Sequence, residues 1–160
     1  MILRQPLMTD YQFVYECYQD WPITVKSGII TIDKVSAWLQ RWITRVDEIV
    51  RIGEESGIPV GLIHYSRGAN GQPETVADVW NIIVHPNHRG LGYSTEIARL
   101  AWEAERMNGL ELAKFEALPG AIAENIKLGK TVGSGRYHET GVSLGETGQL
   151  ITGELRPGGL

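Results

Sequence analysis

The sequence predicts an α/β fold of the α+β kind, with a mixed central β-sheet of six to seven strands flanked by about four helices. Three observations carry that prediction. Two β-rich runs flank the polar turn "GEESG", which reads as an antiparallel hairpin. The strand "TVADVWNIIVHP" is followed by an amphipathic helix and then the strand "LELAKFEAL", and such a passage implies a parallel pair. Two further β-rich stretches, "GRYHETGVSL" and "GQLITGEL", close the chain between glycine-rich turns.

The elements follow in order. Leu3 to Leu7 reads as an opening strand. Thr9 or Asp10 can cap a helix with Val14, Cys17, Tyr18 and Trp21 on one face, ended by Pro22. Thr31 can cap a second helix, whose stripe is Val35, Trp38, Leu39, Trp42 and Val46. Its tryptophans fit core packing better than a substrate cleft. Gly61, inside the second hairpin run, signals a bulge or a close backbone approach. "GANGQPE" is a turn, and the strand after it is apolar on both faces near its end, as a central strand is. In the next helix Ile97, Leu100, Ala101, Ala104 and Met107 form the expected inner stripe. Glu96, Arg99, Glu103 and Arg106 form the solvated face, and Asn108-Gly109 stops the helix. "AIAENIKLGK" is a short helix after Pro119, and "RPGGL" a frayed end. One domain, residues 1–155 with a tail at 156–160, accounts for all 160 residues.

Composition narrows the function. A formal net charge of −4 and a pI near 5.6 argue against a nucleic-acid binder. The single cysteine, Cys17, excludes an internal disulfide, and its place on an apolar helix face reads as a buried, inert thiol. No segment is apolar for long enough to span a bilayer, and the apolar run at the N-terminus is too short for a signal peptide. The expected location is cytoplasmic.

The stretch "VHPNHRGLGYSTEIARL" carries the chemistry. A glycine-rich turn feeding a helix presents backbone N–H groups and the positive end of the helix dipole, which suits a phosphate. A dinucleotide fingerprint would need glycine where Thr95 stands. A P-loop at "LGKT" would need glycine at Glu124. "RGLGYS" instead resembles the R/Q-x-x-G-x-G/A loop of the GNAT superfamily, the Gcn5-related N-acetyltransferases. Val84, Pro86 and Arg89 resemble that family's strand-to-loop passage, and "EESGIPVGLI" is similar to its hairpin signature. The sequence departs at Ser94, where the family has glycine or alanine. The resemblance runs from about Glu48 to Ala117.

The resemblance implies acetyl-CoA as cosubstrate, with its pyrophosphate on Arg89, Gly90, Leu91, Gly92, Tyr93 and Ser94. Its pantetheine arm would pair with free backbone groups of Ile82, Ile83 and Val84, where the sheet splays between the fourth and fifth strands. Asn125 resembles an asparagine that contacts the cofactor. No metal is implied, since His85 and His88 have no further ligands at metal spacing. The implied reaction is direct attack of a primary amine in a ternary complex. Asp78 matches the position of a glutamate base in histone-type members, and reads equally as a carboxylate at the solvated start of a strand. "AIAENIKLGK" lacks the family's usual tyrosine acid. Tyr137 and Tyr93 are the nearest substitutes, and Tyr137 also fits an ordinary strand aromatic; His138 could serve as acid or base, but fits a surface residue better.

The partner would be a small-molecule or peptide amine, with no nucleic acid or membrane. The resemblance also implies a homodimer through the terminal strands, and "GQLITGEL" reads as an edge that needs covering. The rival readings are a catalytically silent CoA-binding or structural module, and transfer of a longer acyl chain.

Overall fold

The computed structural model describes residues 1–19, 29–117, 131–132, 135–145 and 148–158. Trp21, Pro22, Pro119, Asn125 and the "AIAENIKLGK" helix lie outside them. The described residues build one mixed sheet of eight strands. These are β1 (Ile2–Arg4), β2 (Glu48–Glu55), β3 (Ile58–Arg67), β4 (Val76–Val84), β5 (Leu112–Ala117), β6 (Thr131–Val132), β7 (Gly135–Gly145) and β8 (Gly148–Pro157). Their order across the sheet is β1-β2-β3-β4-β5-β8-β7-β6. The β4–β5 pair is parallel and every other pair is antiparallel. Three α-helices are described: α1 (Tyr11–Tyr18), α2 (Ile32–Thr44) and α3 (Tyr93–Met107).

Local sequence explains these elements. Thr31 caps α2 by accepting from the Lys34 N–H at 3.3 Å. Asp10 stands at the α1 N-cap, but its carboxylate is drawn away by Arg4 and the Leu7 N–H. Ser56 and Gly57, both at positive φ, turn the β2–β3 hairpin in two residues.

The sheet separates two cores. On one face α1 and α2 bury Val14, Cys17, Tyr18, Val35, Leu39 and Trp42 against Val50, Ile52, Leu62 and Ile83. On the other, α3 packs Ile97, Ala98, Ala101 and Trp102 onto Ile63, Ala77, Ile82, Phe115 and Leu155.

Some sequence expectations need correction. Val46 lies beyond the end of α2 and is 93% exposed. The inner face of α3 is rotated: Ala98, Trp102 and Glu105 are buried with Ile97 and Ala101, whereas Met107 is 89% exposed. Glu105 turns inward because Tyr65 Oη donates to it at 2.5 Å and Arg67 Nη1 at 2.8 Å, which neutralises the cost of burying the carboxylate. β8 is not an edge. It lies between β5 and β7, and it runs through Arg156 and Pro157, which pair with Arg136 and Gly135 past the expected start of fraying.

Candidate active site

β4 is the strand on which the candidate site is built. Its parallel pairing with β5 runs from Val76↔Leu112 to Val79↔Phe115 and stops there, while β4 continues to Val84. The sheet therefore splays at this point among the described residues, as the family resemblance implied. On its other side β4 stays paired with β3 as far as Gly61↔Val84.

Hydrogen-bond parity shows which backbone groups face the opening. The His85 N–H donates to the Val60 carbonyl at 2.9 Å. Antiparallel bonds alternate from residue to residue, so Ile83 also turns its backbone toward β3, and Ile82 and Val84 turn theirs to the open edge. The Val84 carbonyl on that edge accepts from Arg89 Nε at 3.1 Å. Of the three residues expected to pair with the pantetheine arm, Ile82 and Val84 have N–H groups directed to the opening, and Ile83 has not. Gly61 lets β3 come close enough for this pairing: a Cβ there would stand 2.8 Å from the Ile83 carbonyl oxygen.

The glycine loop follows directly. Gly90 and Gly92 have φ of 77° and 79°, in the left-handed region, and among the described residues no atom beyond their chain neighbours lies within 4 Å of where a Cβ on either would stand. Gly92 is the N-cap of α3 and offers no side-chain cap. The Tyr93, Ser94 and Thr95 N–H groups at the helix start therefore have no intrahelical acceptors. Leu91 is 64% exposed at the loop tip. Space around the glycines, donors without intrahelical acceptors and a helix N-terminus together suit a diphosphate.

His85 ties this loop to α1. Its Nδ1 accepts from the Asn87 N–H at 3.2 Å, so in the neutral ring Nε2 carries the proton, 2.8 Å from Glu16 Oε2. Its ring stacks on Phe13.

Asp78 lies opposite Ser66 of β3 and beside Lys114 of β5. Its neighbours Ala77 and Val79 pack under α3, so Asp78 faces the α1–α2 side. Gln72 Nε2 donates to Asp78 Oδ2 at 2.9 Å, and Lys114 Nζ donates to Gln72 Oε1 at 2.9 Å. Ser66 Oγ is buried with no hydrogen-bond partner among the described residues. Further along this face, His64 is buried against Trp42 and Trp80. Its Nε2 lies 2.9 Å from Glu48 Oε1. Burial pushes the His64 pKa down to about 4, outweighing the pull of Glu48. Glu48 is held by Arg41 Nη2 at 2.9 Å and Trp42 Nε1 at 3.1 Å.

Tyr137 is not brought to Asp78. It pairs with Leu155, packs edge-on against Phe115 on the α3 side, and lies so closely over Gly153 that any Cβ there would collide with its ring. Its hydroxyl is buried without a partner among the described residues, and burial raises its pKa. His138 is exposed on β7 opposite Glu154. Asn125 lies outside the described residues.

Gln72, Lys114, Ser66, His64 and Trp80 were not singled out as site residues from sequence. The alternation "LIHYSR", with polar His64 and Ser66 on one face, was the available signal for two of them.

The acetyltransferase (GNAT) family model matches residues 12–124. The chain belongs to this family of acetyltransferases. No curated protein matches it in sequence. Solved GNAT structures share its fold. A ribosomal-protein-alanine N-acetyltransferase from Brucella melitensis is 17% identical, with a TM-score of 0.72 over 96% of this chain and 98% of that one. An aminoglycoside acetyltransferase, AAC(6')-Ib in complex with coenzyme A, is 16% identical with a TM-score of 0.72, covering 96% and 93%. A spermidine N-acetyltransferase chimera from Vibrio cholerae and hSSAT is 15% identical with a TM-score of 0.76, covering 97% and 94%. The glycine loop and the splayed β4 edge are adjacent in this chain. No described helix is long and apolar enough to cross a membrane.

Proposed function

We propose that this GNAT protein transfers an acetyl group from acetyl-CoA to a primary amine by direct attack in a ternary complex. The observation that carries the reading is the edge of β4 past Val79, unpaired among the described residues and running directly into the glycine loop and the start of α3, which has no side-chain cap. The loop amides and the α3 N-terminus hold the pyrophosphate, and the Ile82 and Val84 N–H groups pair with the arm in the manner of an added strand. Acetyl-CoA supplies the acetyl group as an activated thioester. One of the two β4 N–H groups also serves as the donor to the thioester oxygen, a role worth about 3 kcal/mol in comparable sites.

Asp78 takes the proton from the amine, directly or through water. An alkylamine has a pKa of about 10.4 and arrives as an unreactive ammonium, so a base is required. Gln72 fixes one carboxylate oxygen, which leaves Oδ1 for the proton. Tyr137 has no part in this reading, because its hydroxyl is on the opposite face. A thiol of pKa about 8.5 leaves tolerably as thiolate. Three structural relatives, a ribosomal-protein-alanine, an aminoglycoside and a spermidine acetyltransferase, are named for amine acceptors, which supports an amine here. A homodimer in a cytoplasmic setting belongs to the same reading; among the described residues no strand pairs with the outer edge of β7 beyond Arg136, and a dimer mass in light scattering at micromolar concentration is the check.

The test is CoA-thiol release with acetyl-CoA and a panel of primary amines, comparing wild type with Asp78→Asn. The variant should keep its CoA affinity and lose roughly 10²–10⁴-fold in kcat, less at high pH where the amine is already neutral. Full activity across the pH range would place the base elsewhere. Tight CoA binding with no transfer by the wild type would favour the silent module.

A further inference from the structure

The ladder between β3 and β4 breaks register at one point: His64 pairs with Asn81 and Tyr65 with Val79, so Trp80 is an extra residue. In a regular strand Trp80 and Asn81 would face opposite ways. Here both face the α1–α2 side. Trp80 meets the edge of His64 at 4.6 Å between ring centroids, and Asn81 Nδ2 donates to Tyr18 Oη at 3.3 Å. Asp78, two residues earlier, faces the same way. The bulge thus gathers a carboxylate, an indole and an amide on one side of β4, where β5 has just parted from it.

The indole is held from behind and open in front. His64 and then Trp42 support it, and Trp42 is fixed by its bond to buried Glu48. Yet Trp80 is 47% exposed in a strand whose Ala77 and Ile83 are each 1% exposed. Its distance from Asp78 is informative. Two residues of strand advance about 7 Å, and a cation sits within about 6 Å of an aromatic centroid. One ammonium can therefore lie on the indole and still reach the carboxylate. On the β5 side of Asp78, Lys114 is tied to Gln72, so the side toward Trp80 is the one left for an incoming cation.

Resting on the transferase reading above, we infer that Trp80 is the platform for the acceptor, and that the acceptor is a protonated alkylamine. Its charge is shared between the indole face and Asp78, and its first methylenes lie along the ring. Trp80 is here a specificity-determining residue that does no proton chemistry.

The experiment uses n-butylamine, 1,4-diaminobutane and 2-phenylethylamine as probes, with acetyl-CoA saturating and wild type, Trp80→Ala and Trp80→Phe compared. Trp80→Ala should raise KM for the transferred amine by about tenfold while kcat changes less than about twofold, the split expected when uniform binding is lost. Trp80→Phe should keep most of the affinity. Calorimetry should give all three proteins the same CoA affinity. An unchanged KM in Trp80→Ala for every amine transferred overturns the platform and leaves the transferase reading intact. If the wild type binds CoA but transfers to none of the probes, calorimetry of n-butylammonium against the CoA complex decides. Binding that Trp80→Ala abolishes, with n-butanol failing to bind, upholds the platform although the transferase reading has failed; no binding overturns both.

Discussion

The two halves of β4 share a strand and differ in what their backbones do. From Val76 to Val79 the strand is paired on both sides and its groups are consumed by the ladders to β3 and β5. From Trp80 to Val84 only β3 remains, and alternate N–H groups are left facing the parted edge. The core side chains do not record this change, because Ala77 in one half and Ile82 and Ile83 in the other are all buried. The lesson is that a strand can be core and binding surface at once, since packing uses its side chains and recognition uses its main chain.

The comparison can be broken most severely at the loop that the open half feeds. Gly92→Val puts a branched side chain at φ 79°, in space that is otherwise empty. The backbone strain should cost about 1–2 kcal/mol, so the fold should survive with a small drop in Tm. CoA affinity should fall by at least roughly 100-fold, about 2.7 kcal/mol in calorimetry. Unchanged affinity would remove the loop from the site.

A smaller effect is expected on the pairing that the open half still has. Gly61→Ala places its Cβ 2.8 Å from the Ile83 carbonyl oxygen and 3.3 Å from Val84 Cα, both backbone atoms that cannot swing aside. Urea denaturation should show a loss of about 2 kcal/mol, the ordinary cost of overpacking. Because the strand moves as a unit, CoA binding should weaken as well.

The smallest effect sharpens the point where the halves meet. His64 sits opposite Asn81 at the bulge, faces Glu48, Trp42 and Trp80, and has its pKa pushed down to about 4 by burial. The unfolded chain, with a histidine near 6.5, binds a proton that the folded chain refuses. Stability is therefore full above that value and falls with falling pH, by roughly 1–2 kcal/mol between pH 6.5 and 5. His64→Gln should flatten this slope in urea midpoints. Carboxylates held low by arginine, such as Asp10 beside Arg4, lose their contribution mostly below pH 4 and do not confuse the reading.

Much of this was legible in the sequence. Thr31 as a cap, the β4–α3–β5 passage, the close approach at Gly61 and the two loop glycines each follow from local chemistry that a short window of residues contains. The rest depends on register. Nothing local reveals that Trp80 is an extra residue in its ladder, since the bulge exists only against His64 and Tyr65 of another strand. Gln72 reaches Lys114 across 42 positions of chain. Glu105 reads as one more solvated helix carboxylate until Tyr65 and Arg67, about 40 positions earlier, turn it inward. Tyr137 is a tyrosine of suitable chemistry on the unsuitable face, and a one-residue difference in register is all that separates those outcomes.

The position of β8 has a consequence for how the protein is made. β5 finds its antiparallel partner only in β8, with Ala113 paired to Leu155 and Ala117 to Ile151. During synthesis from the N-terminus, β1 to β5 and the three described helices emerge ahead of that partner. Until it arrives, β5 presents a bare main-chain rim that any extended peptide could occupy. The nascent sheet is therefore vulnerable to foreign strands for as long as the ribosome takes to reach its closing segment, and a pause late in translation would extend that exposure.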